Sequence, residues 1–232
     1  VPPVRVAELW RYPVKSFAGE RLDGVTVDGR GVDGDRLWAL VDPVGAIASG
    51  KTTRRFRKVA GLLRHRSTLD GGAPVITLAD GRSARAGTPE LDALVAEIAP
   101  AGWALRREAA VPHFDAAPIH VVTSRTLATL GAAVGERVPV ERLRPNVLLD
   151  VDDAAPFPED AWLGRTLHIG GVELRIAERC ERCVMVTQAQ AQIPRRPRLL
   201  QTIGRVNRAC AGVYAEVVAP GEMREGDAVR LV

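Results

Sequence analysis

Leu167-His168-Ile169-Gly170-Gly171-Val172-Glu173-Leu174-Arg175-Ile176-Ala177 is the stretch from which the fold is read. Apolar and polar residues alternate on both sides of a glycine pair, the period of half-buried strands joined by a tight hairpin. The same signal repeats outward in both directions. It predicts strands over Ile119–Val122, Val147–Val151, Val184–Thr187, Val213–Val218 and, after Gly226-Asp227, Ala228–Leu231. Toward the N-terminus it predicts Val4–Trp10, Leu37–Val41, Ala46–Ala48, Leu62–Leu69 and Val75–Ala79, punctuated by Asp42-Pro43-Val44-Gly45 and Asp70-Gly71-Gly72. Helix signals are fewer. Thr88-Pro89-Glu90 supplies an N-cap and a proline at the first helical position, Leu91, Leu94, Val95 and Ile98 share one face, and Pro100 stops the run. Thr123 or Ser124 caps a helix running to about Val134, and Leu199–Val206 reads as a third. The expected class is α+β, β-rich and barrel-like, with a boundary between residues 100 and 115.

The composition suits such a fold. The chain has 232 residues, 46% hydrophobic and 26% charged, with a net charge of +4. Nothing approaches the run of about 18 apolar residues that a spanning helix needs. Val1-Pro2-Pro3-Val4-Arg5 lacks the apolar core of a signal peptide, so a cytoplasmic location is expected. Lys15, Lys51 and Lys58 are the only lysines, and the other basic residues are arginines, whose planar forks suit phosphates and carboxylates. Aromatics are 4%, too few for base-stacking platforms, so nucleic acid is not expected as a partner. Rossmann, P-loop and nucleophile-elbow signatures are absent, and His65, His113, His120 and His168 stand alone, which suits structural roles.

Cys180-Glu181-Arg182-Cys183 is the most chemical local feature. A zinc ribbon requires a second ligand pair, and Cys210 is single. A thioredoxin-type dithiol opens a helix, whereas this pair lies between strand-like segments. Buried apolar thiols remain open as a reading; so does a functional thiolate, favoured by Arg179 and Arg182 beside the sulfurs and suited to a soft metal. Lys15-Ser16, in the turn Tyr12-Pro13-Val14-Lys15-Ser16, can grip a phosphate or can be an exposed loop. Arg144-Pro145-Asn146 can bind an anion and a heterocycle edge or can be a surface turn. Lys51, Arg54, Arg55, Arg57 and Lys58 form either a phosphate clamp or a solvated basic loop.

Together with Gly34-Asp35-Arg36-Leu37-Trp38, Asp115-Ala116-Ala117-Pro118, Asp160-Ala161-Trp162-Leu163-Gly164 and Gly212-Val213-Tyr214-Ala215-Glu216, these segments resemble the MOSC family. The resemblance spans nearly the whole chain and looks most like the two-part amidoxime-reducing components and their bacterial relatives. It implies an N-terminal β-barrel domain over residues 1–108 and a MOSC domain over residues 109–232. It also implies binding of molybdenum cofactor, with Cys183 as metal ligand and catalytic residue, Cys180 as a packing neighbour, and Lys15, Ser16, Arg36, Arg144, Asn146 and Arg182 around the cofactor. Glu181, Ala116 and Ala117 depart from the hydroxyl residues of animal relatives, and Lys51 stands near an arginine of theirs.

The activity so implied is reduction of hydroxylamines, amidoximes or N-oxides by removal of oxygen at molybdenum. With no four-cysteine extension after Val232, electrons are expected from a separate ferredoxin- or flavin-type reductase. The alternative is a cofactor or sulfur carrier that uses a Cys183 persulfide without reductase activity.

Overall fold

The computed structural model describes residues 4–232; Val1–Pro3, the start of the N-terminus read above for a signal peptide, lie outside the described residues. Seven strands close a barrel. In spatial order they are Val147–Asp150, Ile119–Thr123, Cys210–Ala219, Val172–Glu181, Thr166–Ile169, Ala228–Leu231 and Val4–Arg11. The hairpin at Gly170-Gly171 is present, pairing Ile169 with Val172 and Thr166 with Arg175. Closure comes from the far end of the chain: Val4–Arg11 runs antiparallel to both Ala228–Leu231 and Val147–Asp150. Alternate residues point inward, so Leu9, Ile119, Val121, Leu149, Leu174 and Val213 meet in a core with no exposed surface.

A second core lies in the N-terminal part. Trp38–Val41 pairs with Ala104–Arg107 and with Ile47–Ser49, which runs parallel to Phe56–Lys58. A separate meander joins Arg66–Asp70, Ala73–Thr77 and Ser83–Arg85. The helix α1, Pro89–Ile98, covers this core with Leu91, Leu94 and Val95, and Thr88 caps it by accepting from the Leu91 N–H. Two further helices, α2 (Ser124–Val134, capped by Thr123) and α3 (Leu199–Asn207), pack outside the barrel around Leu130 and Ile203. Among the described residues no helix is long and apolar enough to cross a membrane.

Two predicted strands are corrected. Leu62–Arg64 is a 3₁₀ turn, because Gly61 enters it at φ 81° and drives Leu62 and Leu63 into the core; pairing begins only at Arg66. Val184–Thr187 is also a 3₁₀ turn. Pairing on that side ends at Glu181 opposite Cys210, and the Val186 N–H then turns back to the Cys183 carbonyl at 3.2 Å.

Candidate functional site

A cleft of about 390 Å³ is lined by residues of both the barrel and the N-terminal part. Lys15, Ser16, Arg36, Arg144, Asn146, Arg182 and Cys183 all line it, although they are spread across the chain. A second cavity of about 410 Å³, between the end of α2 and the 193–199 segment, contains none of them.

The backbone is strained where the cleft is built. Ser16, Arg36 and Arg144 hold φ values of 67°, 50° and 55°, a left-handed region that costs a side-chain-bearing residue about 1 kcal/mol or more. Hydrogen bonds fix each of these turns. The Arg36 N–H donates to the Tyr12 carbonyl at 2.7 Å, and its guanidinium reaches the Arg144 carbonyl at 3.2 Å and Asn146 Oδ1 at 3.3 Å. Arg36 also pairs with Asp35, whose other oxygen accepts from the Tyr12 N–H at 2.8 Å. The Arg144 guanidinium donates to the Phe17 carbonyl at 2.7 Å. Both guanidiniums lie against the buried Tyr12 ring, 4.8 and 4.2 Å from its centre. Asn146 is wholly buried; Oδ1 also accepts from the His120 N–H and Nδ2 donates to the Trp10 carbonyl.

Positive charge dominates the lining: Lys15, Arg36, Lys51, Arg144, Arg179 and Arg182 face Asp115, Glu178 and Glu181. Lys15 is only 4% exposed. Burial depresses its pKa to about 8, against the pull of Asp115, whose carboxylate it meets at 2.7 Å. Burial also lowers Arg144, to about 10. For Asp115 burial acts upward, but Lys15 and Lys51 outweigh it and hold the carboxyl well below its ordinary range. Of the basic run, Lys51 lines the cleft, whereas Arg54, Arg57 and Lys58 face solvent.

On the barrel side, Cys180 is buried at the end of its strand, and burial pushes its thiol up. Its sulfur accepts from Arg182 Nη1 at 2.7 Å. Arg182 Nη2 donates to the Leu143 carbonyl at 2.6 Å, and Nη1 lies 3.3 Å from His120 Nε2. Burial, then the Arg182 charge, holds His120 neutral far below its usual pKa. Arg182 Nε is buried with no partner among the described residues. Cys183 is half-buried and opens the 3₁₀ turn beside this guanidinium. No three His, Cys, Asp or Glu side chains converge to hold a metal ion among the described residues. A metal at Cys183 would therefore have to bring most of its own ligands.

Sequence reasoning gave no role to Tyr12, Phe56 or Asp115, and it read His120 as isolated. Tyr12 and Asp115 lay inside quoted segments, but their contacts are with residues distant in the chain and leave no local spacing signal.

Comparison with known proteins now adds to this geometry. The MOSC domain family model matches residues 108–230, and that of the MOSC N-terminal beta barrel domain matches residues 3–98. Mitochondrial amidoxime reducing component 2 from Rattus norvegicus is 32% identical over 133 residues, covering 51% of this chain and 38% of the relative's own length. Mitochondrial amidoxime-reducing component 1 from Homo sapiens is 22% identical over 289 residues, covering 98% of this chain and 82% of the relative. The crystal structure of the YuaD protein from Bacillus subtilis is similar in fold, with a TM-score of 0.56 at 15% identity over 99% of this chain and 95% of that one.

Proposed function

The chain belongs to the MOSC domain family, and on that premise we propose that its cleft binds molybdenum cofactor and serves reduction of N-oxygenated compounds. The observation that carries this reading is the convergence of a half-buried thiol, an orphaned guanidinium N–H and a buried cationic wall in one cleft. Bound there, the cofactor supplies the two-electron chemistry that removes oxygen from a hydroxylamine, amidoxime or N-oxide.

The chain's own residues bind and orient. Cys183 offers a thiolate, a ligand suited to a soft metal that arrives with its other ligands. Lys15, Ser16, Arg36 and Arg144 hold the anionic end, and Arg36 and Arg144 are fixed against Tyr12 before any ligand arrives. Asn146 holds Arg36 through Oδ1, and its Nδ2, which gives one of its two hydrogens to the Trp10 carbonyl, keeps the other for the cofactor. Arg182 is locked by Cys180, His120 and Leu143, so its remaining Nε–H keeps a fixed direction beside Cys183. Electrons come from a separate donor protein in the cytoplasm, and the two domains divide at residue 108 except for the first strand, Val4–Arg11, which closes the barrel of the second.

Turnover tests this reading. Cofactor-loaded protein, reduced with a viologen dye, is expected to reduce a hydroxylamine, and Cys183→Ser is expected to abolish the reaction. Turnover indifferent to that substitution would contradict it. Folded wild type that holds little molybdenum and carries a persulfide on Cys183 would favour the carrier reading instead.

A further inference from the structure

The cleft already contains an anion of the protein's own. Asp115 Oδ2 lies 2.7 Å from Lys15 Nζ, and Oδ1 lies 3.2 Å from Lys51 Nζ. Both ammonium groups stand over the Phe56 ring, at 5.1 and 5.0 Å from its centre. Three separate segments meet here: the turn after the first strand, the loop before Phe56, and the irregular connection that precedes Ile119. The Phe114 carbonyl, one residue before Asp115, accepts from Arg55 at 3.1 Å and anchors that connection.

The partners differ in how they can move. The Lys15 side chain is 5% exposed and has no other acid within ion-pair distance among the described residues, so its charge is fixed in the wall. The Asp115 side chain is 41% exposed and faces the open cleft. Releasing the lysine would strand a buried cation, whereas releasing the carboxylate only returns it to water. The two lysines are therefore the seat, and the carboxylate is its removable occupant.

We infer that Asp115 is an affinity-determining residue of the cleft: its carboxylate occupies the Lys15–Lys51 seat and is displaced when the anionic group of a ligand, of phosphate type, enters. The inference rests on reading the cleft as an anion-binding site. A tethered carboxylate competes at high effective concentration, so the seat binds loose anions weakly while its lysines stay ordered over Phe56.

The test is calorimetric titration of the cofactor-free full chain with inorganic phosphate and with pyrophosphate at pH 6.5, below the Lys15 pKa. Asp115→Asn is expected to tighten both anions by the same factor, about tenfold, the scale of one charge-assisted hydrogen bond. Equal factors identify displacement of a shared competitor. Simple repulsion across the cleft would tighten the more highly charged pyrophosphate far more than phosphate and would overturn the inference. So would an unchanged or weakened affinity in folded Asp115→Asn, or an equal gain in Glu178→Gln, which removes a cleft carboxylate not held by the lysines. Asp115→Glu keeps the competitor and is expected to stay near wild type. The titrations use cofactor-free protein and molybdenum content is measured separately, so a failure of the proposed function and a failure of this inference are told apart.

Discussion

The barrel interior and the cleft beside it are built on opposite principles. Inside the barrel, Leu9, Ile119, Leu149 and Leu174 bury only hydrocarbon, and each contributes through area removed from water. In the cleft wall, Lys15, Arg36 and Arg144 bury charge, and two of the three also hold left-handed backbone. The first region stabilises the fold, and the second draws on that stability to hold buried charge and left-handed backbone in place. Substitutions should therefore separate stability from binding.

The largest stability effect belongs to the barrel. Leu149→Ala is expected to cost about 2–5 kcal/mol in urea denaturation while leaving the cleft's anion affinity unchanged. A loss below about 1 kcal/mol would mean that the barrel is not where stability resides. Thr88→Ala removes the N-cap of α1, remote from both regions, and should cost about 1 kcal/mol in the same assay. Lys15→Met should not destabilise the protein near pH 7 and is expected to be neutral or stabilising, because burial of the charged lysine outweighs the pull of Asp115. Yet it should cost the most binding, removing phosphate and pyrophosphate affinity alike. A strongly destabilised Lys15→Met would show that the cleft charges hold the fold together after all.

Protonation refines the contrast. Burial depresses the Lys15 pKa from 10.5 to about 8, so the folded protein penalises the charged lysine. That penalty is fully present below pH 8 and is gone above 10.5. Wild-type stability relative to Lys15→Met should therefore rise between pH 8 and 10.5, while anion affinity of the wild type falls from pH 8 upward. Parallel denaturation and titration series check both slopes. A flat stability difference across this window would mean that Lys15 is solvated rather than buried.

Much of the barrel was legible because its signals are local. Gly170-Gly171 between alternating residues gave the hairpin, Thr88-Pro89 gave the start of α1, and Thr123 before an amphipathic run gave α2. Leu62-Leu63 and Val184–Thr187 were misread because short apolar runs carry no period, and a buried 3₁₀ turn resembles a buried strand. In the cleft, the individual segments were visible but their union was not. Lys15 shares a cleft with Arg144 and Cys183 only because the first strand closes the barrel against Val147–Asp150. The Tyr12 bracket and the Asp115 clamp depend on that same closure, which no local spacing encodes.

Molybdenum per chain, determined by plasma mass spectrometry on wild type and Cys183→Ser from a host that makes the cofactor, tests the central claim most directly. The expected result is close to one molybdenum per wild-type chain and its loss in a Cys183→Ser protein that melts at the wild-type temperature. Folded wild-type protein without molybdenum would contradict the assignment of the cleft.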